Sequence, residues 1–182
     1  MKRWIAPFSL TLLAGCQGPA LHGPESSYYA YSGGMRIGLE QTLTVPAGSA
    51  TVRLQFGHPV ASNAVQDTEP YCIFELDTVR DAPLPVAPGR FEVARVERRI
   101  QDFAGMPVSP NVGMLGLFGR GGGPSQVYYV TEFRLNSDRN SPVRSLSCQS
   151  NQISYPPQQQ RHLALSEMQG AVGNYFSFEL PR

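Results

Sequence analysis

Apolar and polar positions alternate with a period of two along much of the chain, which is the signature of strands with one buried face. From Met35, Ile37 and Leu39 alternate with Arg36, Gly38 and Glu40. Leu43-Thr44-Val45 then runs into the turn signal Pro46-Ala47-Gly48-Ser49. Next, Ala50, Val52, Leu54 and Phe56 face one way, and Thr51, Arg53 and Gln55 the other; the two segments on either side of the turn are expected to form a hairpin. A polar connection from Gly57 to Pro70 reads as a surface loop. Cys72, Phe74 and Leu76 form the next inward set. The segment from Asp81 to Gly89, with three prolines, is too proline-rich for a central strand and reads as an extended crossing. Arg90–Ile100 follows as a strand with Phe91, Val93 and Arg95 on one face, and its charged end, Glu97-Arg98-Arg99, is expected in solvent.

Residues 102–124 join scattered apolar positions to a Gly-rich tip, and the pattern predicts a long mobile loop. Met114, Leu117, Phe118 and Arg120 on it have two readings: a buried plug across the end of the fold, or an exposed tip that binds a partner or touches the membrane. Val127–Leu135 is the clearest strand, with aromatics on both faces near its start, so it is expected to be central there. A turn at 136–142 leads into a short strand, Val143–Gln149. Ser166 and Gln169 are spaced as a capping box and Gly173 as a C-cap, which predicts one helix of about two turns. A final strand, Tyr175–Leu180, points Phe176, Phe178 and Leu180 inward. About eight short strands and one short C-terminal helix predict a mainly β fold, an antiparallel β-sandwich or flattened barrel.

Composition supports this and narrows the function. The 18 Gly and 16 Pro in 182 residues argue against a helical bundle, and 41% hydrophobic residues suffice for one core. With 15 Lys+Arg against 14 Asp+Glu there is no global charge to favour nucleic acid.

The N-terminus carries the sharpest motif. Lys2 and Arg3 precede a mostly apolar run from Trp4 to Ala14, too short to span a bilayer as a helix and fitting a signal-peptide core. Leu13-Ala14-Gly15-Cys16 resembles the lipobox of bacterial lipoproteins. The resemblance implies cleavage before Cys16 and lipidation of that cysteine, with palmitate among the acyl chains. Two or three such chains hold a protein durably to a membrane. Gln17 is not the Asp that resembles an inner-membrane retention signal, which implies the outer membrane, facing the periplasm. The division that follows is a signal peptide at 1–15, a lipidated tether at 16–34 and a single β domain at 35–182. Cleavage takes the only lysine and turns the balance to 13 Arg against 14 acidic residues. In the tether, Tyr28, Tyr29 and Tyr31 are either a recognition patch or a segment that packs across the domain.

With Cys16 given to lipid, Cys72 and Cys148 are left as an even pair in an oxidising compartment, and a disulfide is expected, two buried free thiols being the alternative. No GxSxG, HExxH, metal-spaced histidine pair or phosphate-binding glycine motif is present, and His22, His58 and His162 stand in or beside loops. No catalytic, cofactor or metal residue is therefore assigned. The expected role is that of a membrane-anchored, non-catalytic protein that binds another envelope protein or serves envelope assembly. A lipid or small-ligand carrier is the alternative, and an envelope carbohydrate or peptide hydrolase a more distant one.

Overall fold

The computed structural model describes residues 23–104, 124–136 and 142–181. Ten strands lie among the described residues: β1 (Arg36–Leu39), β2 (Leu43–Val45), β3 (Thr51–Gln55), β4 (His58–Val60), β5 (Tyr71–Leu76), β6 (Leu84–Val86), β7 (Gly89–Ala104), β8 (Pro124–Asn136), β9 (Val143–Gln149) and β10 (Phe176–Glu179). One helix, α1 (Leu165–Val172), precedes the last strand. Eight strands form one sheet in the order β10-β1-β7-β8-β9-β5-β3-β4, every neighbouring pair antiparallel, and β2 and β6 form a separate two-stranded ribbon.

The sheet curls strongly. β10 and β5 lie five strand spacings apart, which in a flat sheet would separate them by about 24 Å. Yet the rings of Phe176 on β10 and Phe74 on β5 have centroids 5.3 Å apart. The sheet is thus half a barrel, with α1 laid across β3, β5 and β10 on its inner side. The core inside holds Ile37, Leu39, Leu54, Phe74, Phe133, Leu146, Met168 and Phe176, all almost without solvent exposure, and the ribbon adds Leu43, Val45 and Val86. The antiparallel, flattened-barrel expectation with one C-terminal helix holds.

Several local expectations do not. β2 and β3 do not form a hairpin: β2 pairs with β6, and β3 with β4 and β5. Within the 57–70 connection lies the edge strand β4, where Pro59 is tolerated because an edge position needs no donor on its outer side. Its turn is Phe56-Gly57, with φ of +52° and +81°, the two left-handed residues of a two-residue hairpin loop. The proline-rich crossing contains β6. The expected Cys72–Cys148 disulfide is present, with S–S 2.05 Å, and joins directly opposite residues of adjacent strands β5 and β9.

The helix begins two residues earlier than the Ser166/Gln169 pattern predicts, with Ala164 rather than Ser166 at the N-cap. The glutamate in its first turn does the capping: Glu167 Oε2 accepts from the Ala164 backbone N–H at 2.7 Å, and Arg161 grips both oxygens at 2.6 and 2.7 Å. These contacts hold the Glu167 carboxyl below the usual range against the opposing effect of burial. Gly173 ends the helix as expected, at φ +57°. A Cβ there would stand 2.5 Å from Gly57 Cα, so the helix end and the β3–β4 turn meet main chain to main chain, and Gly57 N–H donates to Ala171 O at 3.0 Å.

Candidate functional site

The long strands β7 and β8 form the ladder on which the site is built. Register slips between Val93 and Arg95, leaving Ala94 as an extra residue on β7. A one-residue insertion reverses the facing of everything after it. Val93 and Val96 consequently both point to the core, three residues apart, while Arg95 is exposed. The expectation that Arg95 lies inward and Glu97-Arg98-Arg99 in solvent is corrected by this bulge: Arg98 is turned onto the core face.

The outer face of the same ladder is electrostatically closed. Glu97 and Glu132, directly opposite each other, are bracketed by Arg95 (2.5 Å to Glu97), Arg134 (2.7 Å to Glu132) and Arg99, which pairs with Glu132. Farther along that face, Tyr128 packs with Tyr71 and Val130. Its hydroxyl donates to Asp67 Oδ2 at 3.1 Å, and burial first, then Tyr71 and Asp67, raise its pKa. The Asn151 amide donates to the same carboxylate oxygen.

The inner face is different. Arg98 stands opposite Thr131, and two residues along the ladder Ile100 stands opposite Tyr129. The Tyr31 ring, itself packed edge-on against Phe133 at 5.2 Å, lies under the Arg98 guanidinium with 5.3 Å from Cζ to the ring centroid. Nε and Nη2 of Arg98 and the Tyr31 hydroxyl are buried and have no hydrogen-bond partner. Burial raises the Tyr31 pKa, so the phenol keeps its proton. His162 completes the wall, with Nδ1 3.4 Å from Thr131 Oγ1 and its ring edge-on to Tyr129 at 5.3 Å. Burial, then the Arg98 charge, lower its pKa to about 4, so the imidazole is neutral at pH 7.

Beyond Tyr129 the same face opens into a groove of about 470 Å³, bordered by Ile100, Val127, Tyr129, Ile153 and Tyr155, with Asp102 at its far mouth. Gln160 also borders it and accepts a 3.4 Å bond from the Tyr129 hydroxyl. A wider open hollow of about 750 Å³ lies beside β6 and the start of β7. The charge of Arg90 there is already spent on Glu40 (3.0 Å) and Glu179 (2.7 Å). A polar cleft of about 260 Å³ holds Glu69, Arg161 and Glu167, the last two committed to the helix cap. Among the described residues no group of three or more His, Cys, Asp or Glu could hold a metal ion, and no helix is long and apolar enough to cross a membrane.

Of the residues singled out in the sequence, Cys72 and Cys148 are joined. Cys16, His22, Met114, Leu117, Phe118 and Arg120 lie outside the described residues. Tyr29 and Tyr31 pack against each other, with Tyr31 on the core, whereas Tyr28 is exposed. His58 is exposed on the edge strand β4. Sequence reasoning missed Arg98 and His162 as parts of one site. The spacing of Val93 and Val96, three rather than two, was the available sign of the bulge. No family model matches the chain, and no curated protein or solved structure matches it either.

Proposed function

We propose that this chain is a lipid-anchored, non-catalytic binding protein of the bacterial envelope, held through Cys16 in the outer membrane facing the periplasm, and that its binding surface is the β7–β8 groove. The observation that carries the reading is the clustering of exposed apolar bulk. Of six exposed large hydrophobics among the described residues, three border this groove: Ile100 (54% exposed), Ile153 (39%) and Tyr155 (50%). A volume near 470 Å³ falls in the range of small-ligand sites, about 300–1,000 Å³, which favours a small apolar body over a broad protein interface. The disulfide accords with an oxidising compartment. Pro24 O accepts from Leu165 N–H and Tyr31 is packed on the core, so the described part of the 16–34 segment is held to the domain.

A partner-protein reading has its own observation. β1 pairs with β7 only over Arg36–Leu39, so the β7 edge from Arg95 onward has no strand neighbour on that side among the described residues. An extended segment of another envelope protein could add there.

The anchor is tested by palmitate labelling in cells, expected to vanish with Cys16→Ser; persistence would sink it. The groove is tested with the full mature chain carrying Cys16→Ser, which needs no detergent, titrated with the neutral probe N-phenyl-1-naphthylamine. Saturable single-site fluorescence is expected, reduced at least about tenfold in affinity by Ile100→Asp with Tyr155→Ser. Equal binding by the variant, or none by the parent, defeats the reading.

A further inference from the structure

Arg98 is a half-buried cation that makes no ion pair with any carboxylate among the described residues. A guanidinium cannot shed its proton in a protein, so it remains charged where it is. Its Nε and Nη2 are buried without an acceptor in hydrogen-bonding geometry, and the Tyr31 ring beneath it offers them a π face. The neighbouring Tyr31 hydroxyl is a further unspent donor. Nearby carboxylates form no ion pair with it: Glu97 and Glu132 are bound on the opposite face of the ladder, Asp102 borders the groove beyond Ile100, and Glu25, whose charge acts on Tyr31, makes no salt bridge to Arg98. The neutral His162 leaves the enclosure with a single full positive charge. A set of buried donors with one net charge is matched by one oxyanion head.

The apolar groove begins one ladder step away, about 7 Å along β7, at Ile100 and Tyr129. Asp102 repels an anion from the other mouth and so sets the direction of binding. We propose that Arg98 is the head-group residue of an anionic-amphiphile site: a carboxylate or phosphate head takes Arg98 Nε and Nη2 and the Tyr31 hydroxyl, while the tail lies over Ile100 and Tyr129 toward Tyr155. The proposal rests on the groove reading above.

The test is displacement of N-phenyl-1-naphthylamine from the same full chain by dodecanoate, dodecyl phosphate and dodecanol. Tail length is constant, and the two anions separate a carboxylate from a phosphate head. At least one anion is expected to displace the probe at about tenfold lower concentration than dodecanol. Arg98→Gln should reduce that preference to within about twofold, and Tyr31→Phe, which keeps the ring and its packing, should reduce it by about threefold. Thermal melts of both variants establish that they fold; should Arg98→Gln not fold, Tyr31→Phe decides. If dodecanol displaces the probe as well as both anions do, or the preference survives in the variants, the head-group assignment is overturned while the groove stands. If the probe does not bind at all, the groove reading fails first.

Discussion

One row of side chains crosses the inner face of the sheet from Leu54 through Cys72, Cys148 and Thr131 to Arg98, each directly opposite the next on its neighbouring strand. Its two ends are covered differently. Over Cys72 lies α1, with Met168 fully buried, and the polar groups there are spent: Gln169 donates to Gly173 O and Phe176 O at 2.8 Å each, and Glu167 closes the first turn. Over Arg98 lies one tyrosine from the N-terminal segment, and its donors remain open. Both ends hold buried polar atoms, so burial alone does not tell scaffold from site. What differs is whether the hydrogen-bonding capacity is consumed: the closed end is built for stability, and the open end holds capacity in reserve for something else.

This contrast can be broken at either end. The largest effect is expected from Cys72→Ala with Cys148→Ala, which frees a loop with a sequence separation of 76; the chain-entropy account gives a loss of about 4–5 kcal/mol. Urea unfolding of the double variant measures it, and a loss below about 1 kcal/mol would show that this end is not the scaffold. Arg98→Met at the other end should behave oppositely. Removing an uncompensated buried charge while keeping apolar bulk is expected to leave stability unchanged or raise it by about 1 kcal/mol. A clear loss in the same assay would mean that Arg98 is structural. The smallest effect is a pH dependence. His162 takes up a proton near pH 4 in the folded protein and near its ordinary 6.5 when unfolded. Between those values the unfolded chain binds more protons, so stability falls as pH drops from 6.5 toward 4 and is insensitive to this group above 6.5. The half-buried ring limits the change to about 1 kcal/mol. His162→Gln should flatten that window, and Arg98→Gln should move the His162 titration upward in NMR. An unmoved titration would separate the two residues electrostatically.

Period-two alternation made most strands legible: β1, β3, β5, β8, β9 and β10 stand where their apolar positions placed them, as does the end of α1 at Gly173. Those signals are local. β2 pairs with β6 some 40 residues away, a partner that alternation does not name, and Pro85 hides β6. The Ala94 bulge matters most for the site. Read with unbroken phase, Glu97-Arg98-Arg99 is a solvated charge run; with one inserted residue its middle member faces the core. The disulfide needed only parity and compartment, whereas the Arg98 site needed the phase of a single strand and a tyrosine 67 residues upstream.

The contact between Gly57 and Gly173 has a mechanical consequence. With no side chain between the two backbones, there is nothing compliant to absorb relative movement. The last turn of α1 and the tip of the β3–β4 hairpin must travel as one piece. Any shift of the helix is carried directly to β4, the outermost strand at one open edge of the half-barrel, making that edge and the helix a single lever.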